Sequence, residues 1–184
     1  DEKLGVWDCY GKKILLKNQL EPYSDSKKAY QIKNVDYKKF KLFFLSLLWR
    51  SSITKLEEFN NINLGVYEET IRKRIFKNDV ENEDEFPIII TKYESSDKKV
   101  NSIAKKSIFM PCRTKISHIN YSILYLSGGY RIFIKVDQRK TQENLSKIIL
   151  RNAQPVIILR FKNFETSNEL KLAIEMAKKH KSLF

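Results

Sequence analysis

The chain has 184 residues and a formal net charge of +13, and 42% of its residues are hydrophobic and 12% aromatic. This apolar content excludes wholesale disorder, and the length is sufficient for one domain with a buried core. The positive charge favours an acidic partner: nucleic acid, an anionic membrane surface or an acidic protein. Most of the charge is Lys, an excess that an AT-rich genome also produces, so composition alone leaves the partner open.

The sequence predicts no metal site and no cofactor in this chain. Cys9 and Cys112 are far apart, and neither belongs to a Cys-x-x-Cys pair. No secretory signal is visible, and Asp1 in place of Met indicates a truncated or processed chain. We expect a cytoplasmic, bacterial-type protein that does not bind membranes.

The first 35 residues predict one helix and one short strand. A helix is expected over residues 3–16, although Gly5 and Gly11 oppose it. Residues 21–26 have loop chemistry, and residues 30–35 alternate loosely, as a short strand does.

The most apolar segment, residues 37–53, predicts a central helix that is buried over most of its circumference. Asp36 is a credible N-cap, and Arg50 is expected to pair with a carboxylate because it ends an otherwise buried helix. One helical face carries apolar residues at the i, i+3, i+4, i+7, i+8 spacing: Phe40, Phe43, Phe44, Leu47 and Leu48.

A second helix is predicted over residues 66–78, with Glu68 and Glu69 in its first turn, where the helix dipole favours them. The acidic residues 79–85 that follow predict a solvated connector rather than a metal site. The basic groups of this helix are Arg72, Lys73, Arg74 and Lys77. Arg74 lies nearest the apolar side.

Strand patterns dominate from Phe86 onward. A Gly-Gly pair between two apolar runs predicts a hairpin, and residues 95–106 are predicted to form a mobile loop. The predicted strands are residues 87–93, 107–113, 119–126 and 130–136. A helix is then expected over 141–151, a strand over 155–161, and a last helix that opens with the capping box at 166–169.

The sequence shows no catalytic constellation. A nuclease centre needs clustered carboxylates or histidines, but His118 and His180 are the only histidines and are predicted to be structural or solvated. The order Asp84, Glu85, then Lys92 only faintly resembles a restriction-type nuclease, because Ile90 stands where an acidic residue is needed. The sequence also lacks a phosphate loop, a dinucleotide fingerprint and a nucleophile elbow.

Two segments carry a family resemblance. They are residues 4–15, which begin Leu-Gly-Val-Trp-Asp, and residues 37–50 followed by Asn63-Leu-Gly-x-Tyr67-Glu-Glu-x-Ile71-Arg72. Over roughly residues 1–140 the chain resembles the C-terminal region of an uncharacterised bacterial family of HNH-like proteins. These proteins have Cys pairs and a Ser-His-Ile-Ile-Pro motif. The resemblance implies that any metal or nuclease centre lies upstream of Asp1.

We therefore expect a single α+β domain over residues 1–184. It would have a mainly helical part at 1–80 around the central apolar helix, an antiparallel β meander at 86–137 and a helix–strand–helix tail at 141–184. The leading hypothesis is a non-catalytic, nucleic-acid-binding module of an HNH-like nuclease, with phage defence as its setting. The alternative is a protein-interaction or sensor module that binds an acidic protein. An independent enzyme is a third possibility that no constellation supports.

Overall fold

A seven-stranded mixed sheet organises the chain in the structure, a computed structural model that describes residues 2–24, 28–106 and 109–162. The strands are β1 (Glu21–Pro22), β2 (Ala29–Ile32), β3 (Ile88–Tyr93), β4 (Cys112–Ile116), β5 (Ile119–Leu126), β6 (Tyr130–Lys135) and β7 (Val156–Phe161). The helices are α1 (Glu2–Lys17), α2 (Tyr37–Ile53), α3 (Val66–Lys77), α4 (Lys98–Lys106) and α5 (Glu143–Ser146), with a short 3-10 turn at Glu57–Phe59. The α+β class is confirmed.

The central helix forms as predicted. Asp36 caps it by accepting a hydrogen bond from the backbone N–H of Lys39 at 3.0 Å. Phe40 and Phe44 are fully buried, and their ring centroids lie 4.6 Å apart. Leu47 differs from the prediction, because it is only half-buried while Leu48 is fully buried. The buried stripe of α2 is therefore rotated away from Leu47.

Arg50 confirms its predicted role as the partner of a carboxylate. Its guanidinium makes two hydrogen bonds, of 2.7 and 3.0 Å, to the carboxylate of Asp8 in α1. Gly11 allows the two helices to approach closely, because a Cβ at this position would overlap the ring of Phe43. These contacts hold α1 against α2 in a helical layer on one face of the sheet.

The two faces of the sheet are covered unequally. The helical layer α1–α3 packs on one face in the main core, which includes Ile90, Ile132 and Ile158. The other face has two smaller clusters, one around Tyr121 and Ile149 and one around Tyr93, Ala104 and Phe161. Strand β3 is buried on both faces, as its continuous apolar run requires.

The antiparallel meander predicted over residues 86–137 is confirmed only in part: β4, β5 and β6 pair consecutively as antiparallel strands. The strand order of the whole sheet is β1-β2-β7-β3-β6-β5-β4, so β3 pairs antiparallel with β6 and not with β4, the next strand in sequence. Strand β7 inserts between β2 and β3 and runs parallel to β3, which makes the sheet mixed. The β5–β6 hairpin is confirmed: its antiparallel pairing begins with Tyr121 opposite Lys135 and ends with Leu126 opposite Tyr130.

Three local predictions are wrong. Most of the predicted loop at 95–106 is helix α4, which Asp97 caps through the N–H groups of Lys99 and Val100. The strand expected over 107–113 is shifted to Cys112–Ile116. The helix expected over 141–151 stops at Ser146, after which the Leu150 N–H donates to the carbonyl of Ile88. The predicted last helix lies outside the described residues.

Candidate functional site

The basic cluster predicted on α3 does not present four available cations. Arg72 donates two hydrogen bonds, of 2.6 and 2.7 Å, to the exposed carboxylate of Glu69, and Lys73 lies 3.8 Å from the same group. Arg74 is shared between Asp79 and Glu85. Of the four residues, only Lys77 has no ion-pair partner within the described part of the chain. Nucleic-acid binding by this cluster stays a prediction.

The acidic connector, residues 79–85, forms ion pairs with basic side chains of the same chain and is not simply solvated. Glu83 pairs with Arg151 at 2.8 Å, and Glu85 pairs with Arg74 at 2.7 Å. The ammonium of Lys41, on α2, is 2% exposed and donates to the Asn82 carbonyl at 2.7 Å and to the Tyr37 hydroxyl at 3.0 Å. The connector is thus fixed to α2 and α3, and we name this end of the sheet the connector end.

Burial lowers the pKa of Lys41 to about 8, against the opposing effect of the nearby connector carboxylates. The pKa of Tyr37 is raised, chiefly by burial and then by the negative charge of Glu83. The connector charges therefore reduce the cost of a buried ammonium but do not remove it.

The residues of the faint nuclease pattern are not brought together. Asp84 and Glu85 precede β3, whereas the ammonium of Lys92 lies at its far end and donates to the Gly128 carbonyl at 2.7 Å. His118 is exposed in the β4–β5 turn, and His180 lies outside the described residues. Over residues 2–24, 28–106 and 109–162, no group of three His, Cys, Asp or Glu side chains is arranged to hold a metal ion.

The opposite end of the sheet, at the β5–β6 turn Ser127–Gly129, collects two helix termini. The Gly128 N–H donates to the carbonyl of Lys105 at the end of α4, at 2.8 Å. The Tyr130 hydroxyl donates to the carbonyl of Leu15 near the end of α1, at 2.7 Å. A Cβ on Gly128 would lie only 3.1 Å from a methyl group of Leu16, so this turn and α1 are in close contact. We name this end the hairpin end.

The hairpin end carries lysines that no carboxylate of the described residues neutralises. Within the described ranges none of them forms an ion pair, and all except the half-buried Lys92 are exposed. Glu94, the carboxylate just beyond β3, is already occupied, because it accepts hydrogen bonds from Arg160 and from Tyr30, each at 2.6 Å. We call the set the hairpin-end lysines: Lys12, Lys17, Lys92, Lys105 and Lys106.

The surroundings of Lys92 show that positive charge prevails at the hairpin end. Its ammonium lies 3.7 Å from the ring centroid of Tyr130. Burial lowers its pKa to about 8, and the positive charge of Lys105 lowers it further than the more weakly acting Glu94 raises it. Two cations therefore repel each other here, and an anion would relieve that repulsion.

Sequence reasoning missed the hairpin-end lysines because they come from three separate elements. One local signal was available: Asp97 followed by Val100, Ile103 and Ala104 has the cap and apolar spacing of a helix, and its other face is lysine-rich. That signal identifies α4 but not its neighbours. The contact of α1 and α4 with one turn is tertiary.

The chain matches no family model, no curated protein and no solved structure. None of the helices in the described residues is both long enough and apolar enough to cross a membrane.

Proposed function

We propose that this chain binds nucleic acid through the hairpin-end lysines. The observation that carries the proposal is that five lysines without a carboxylate partner in the described part of the chain lie on three elements that contact the Ser127–Gly129 turn. Lysine ammonium groups contact phosphates as point charges and do not read bases. The binding should therefore tolerate changes in nucleic-acid sequence.

The ends of α1 and α4, which carry most of these lysines, are held in place by the turn. Because α4 is bonded to the turn through Gly128, and α1 through Tyr130, the backbone that carries these lysines does not have to be ordered when the ligand binds. Less conformational entropy is then lost on association. The repulsion between Lys92 and Lys105 adds to the attraction for a polyanion.

The test is a fluorescence-anisotropy titration of labelled duplex and single-stranded DNA at two salt concentrations. Replacing Lys17, Lys105 and Lys106 together by Gln should weaken binding about tenfold or more at low salt. It should also reduce the salt slope by about 0.9 for each phosphate that the protein no longer neutralises. These side chains are exposed, so the thermal unfolding midpoint should stay close to that of the wild type.

The matched control removes the same number of charges from α3. Replacing Arg72, Lys73 and Lys77 by Gln should have the smaller effect, because two of these residues already contact Glu69. A larger effect of the α3 replacement would move the interface to the basic cluster of that helix. Absence of binding to either DNA at low salt, with the protein folded, would contradict the proposal.

We infer the wider setting from the family resemblance. The proposal is that the chain is the non-catalytic module of an HNH-like nuclease that acts in phage defence in the cytoplasm. The segments that carry the resemblance lie in α1, α2 and α3. Sequencing the gene upstream of the codon for Asp1 tests this parentage, since Cys pairs and a His-containing motif are expected there.

A second candidate function, binding an acidic protein, is favoured by an apolar groove beside the hairpin end. Two adjoining hollows of about 240 and 290 Å³ share Leu47, Tyr125 and Leu126, and Lys12 lines the smaller one. An amphipathic segment with acidic flanks would match this arrangement. Calorimetry with an acidic amphipathic helical peptide tests it, and Leu47→Asp should then weaken binding while leaving DNA affinity unchanged.

A further inference from the structure

Lys135, at the connector end of β6, is a largely buried cation with no partner among the described residues. The residue is 3% exposed, yet its side chain forms no hydrogen bond or ion pair within that part of the chain. Its backbone is fixed, because its N–H donates to the Pro87 carbonyl at 3.0 Å. Its ammonium is not fully enclosed and reaches the solvent of the clefts that the side chain lines. An ammonium with little access to water and no partner favours an anionic ligand.

The side chain of Lys135 forms part of the wall of two adjoining clefts. These have volumes of about 410 and 680 Å³, which is the size range of small-molecule sites, and they share Asp84 and Gln138. The larger cleft is also lined by Arg139, Lys140 and Arg151. Arg139 and Arg151 are already paired with Asp137 and Glu83, so Lys135 and Lys140 are the two cations of this cleft that have no ion-pair partner among the described residues.

Two of the neighbouring carboxylates, those of Asp137 and Glu83, are engaged elsewhere, whereas Asp84 lines both clefts without an ion pair to any described residue. Asp137 accepts hydrogen bonds from Arg139 and from the backbone N–H of Asn120, and the hydrogen bond from Arg139 is the main reason its pKa is lowered. Glu83 is paired with Arg151. Burial lowers the pKa of Lys135, while Asp137 and Asp84 oppose that shift from a distance. The fold therefore supplies charges near Lys135 but no contact.

A second unsatisfied donor lies beside it. Tyr121 is directly opposite Lys135 in the β5–β6 pairing, so the two side chains project from the same face of the sheet. The Tyr121 hydroxyl is buried and has no hydrogen-bond partner in the described structure. Tyr121 lines neither cleft, so of these two unpaired donors only Lys135 faces the clefts.

We propose that Lys135 is the anion-binding residue of a small-molecule site whose ligand carries a phosphate monoester. A phosphate monoester has close to two negative charges and three acceptor oxygens, which suits several donors better than a single carboxylate does. Lys135 contacts the phosphate from the buried wall, and Lys140 contacts it from the cleft rim. The smaller cleft, lined by Tyr67 and Phe86, accommodates the rest of the ligand. This site is at the opposite end of β6 from the hairpin-end lysines and does not depend on nucleic-acid binding.

Calorimetric titration of the full chain with inorganic phosphate and with adenosine 5′-monophosphate tests the proposal. Saturable binding of at least one of them is expected, and Lys135→Met should weaken it about tenfold or more. Lys135→Met replaces an unpaired charge by an apolar chain of similar length, so the variant should fold and melt no earlier than the wild type. Tyr121→Phe should leave binding unchanged, because Tyr121 lines neither cleft.

The matched control is Lys147→Met, which removes the same charge from an exposed position that does not line either cleft. It should leave phosphate affinity unchanged. Lack of saturable binding of both probes, equal affinity of the Lys135→Met variant, or equally tight binding of acetate would each overturn the proposal. Lys135→Met should also leave the DNA affinity measured at the hairpin end unchanged, so the two proposals fail separately.

Discussion

The two ends of the sheet use positive charge in opposite ways. At the connector end, Arg74, Arg139 and Arg151 are held by carboxylates, and the ammonium of Lys41 is buried against the connector. At the hairpin end, the five lysines have no carboxylate partner among the described residues. Both ends carry basic residues, but the hairpin end has a group of mostly exposed lysines available to a polyanion, whereas Lys135 at the connector end faces a cleft.

The chemistry of the two side chains explains this division. A planar guanidinium pairs with a carboxylate through two parallel hydrogen bonds, whereas an ammonium is a strongly hydrated point charge. The arginines accordingly form the internal ion pairs of this fold, and most of the net charge of +13 remains on lysine. The arginines that pair with a carboxylate are Arg50, Arg72, Arg74, Arg139, Arg151 and Arg160.

The largest effect is expected from a substitution in the buried face of α2, because both ends of the sheet depend on the core that this helix forms. Leu48→Asp places a charge at a fully buried position of α2 and should cost more than about 4 kcal/mol, enough to abolish folding. Leu47→Asp, at the half-buried rim of the apolar groove, should cost about 1 kcal/mol and leave a cooperatively melting protein. Circular dichroism melting of both variants checks this, and equal losses would contradict the burial assigned to α2.

The connector end should show its buried ammonium in the pH dependence of stability. The pKa of Lys41 is about 8 in the folded protein, below the ordinary lysine value of 10.5. Between these values the unfolded chain binds more protons, so the free energy of unfolding should rise with pH, by up to about 3 kcal/mol. Above about pH 10 the rise should end, because Tyr37 has a raised pKa when folded and ionises first in the unfolded chain.

Urea unfolding at intervals of pH from 7 to 10 measures the effect, and Lys41→Met is the control. The variant should show a shallower rise, with the remainder supplied by Lys92, whose pKa is also lowered to about 8. An unchanged slope in the variant would show that Lys41 does not carry the effect.

The hairpin end depends on the close approach of α1 to α2. Substitutions of two glycines of α1, one at the contact with α2 and one away from it, test this approach. Gly11→Ala should destabilise the protein by about 1–2 kcal/mol, because overlap with the packed ring of Phe43 outweighs the gain in helix propensity. Gly5→Ala meets nothing within 4 Å and should stabilise it by about 0.5–1 kcal/mol. Chemical unfolding gives both values, and stabilisation by both would show that α1 is not in close contact with α2.

The smallest effect concerns the ion pair that fixes α1. Arg50→Lys keeps the charge but loses the two-bonded geometry with Asp8, and because both side chains are partly exposed the cost should be about 0.5–1 kcal/mol. A double-mutant cycle with Asp8→Asn isolates the pair. A coupling energy of zero would mean that the contact positions α1 without stabilising it.

The sequence predicted features that depend on neighbouring residues. The cap at Asp36, the burial of α2 and the β5–β6 hairpin all follow from spacing within short segments. The need of Arg50 for a carboxylate follows from its place at the end of a buried helix, but its partner Asp8 lies in another helix. The sequence did not predict that β7 would lie beside β3, because a strand pattern specifies its faces but not its partner. The helix expected up to Arg151 fails for a similar reason: the backbone of Leu150 bonds to Ile88 instead of continuing the helix.

The candidate site was predictable only in part, for the same physical reason. A cluster on one helix, such as that of Arg72 and Lys73, can be predicted from spacing, but its neutralisation by Glu69 depends on rotamers. The hairpin-end lysines and the isolation of Lys135 depend on which elements meet in space. Neither has a signature in a single segment.

The position of β7 has a consequence for synthesis of the chain on the ribosome. Strands β1 and β2 are made early, but β2 reaches the rest of the sheet only through β7, the last described strand. During translation, the edges of β2 and β3 that pair with β7 stay unpaired until Val156–Phe161 has emerged. Until then both edges can pair with other nascent chains. Stalled or prematurely terminated translation would therefore yield aggregation-prone fragments rather than a smaller folded module.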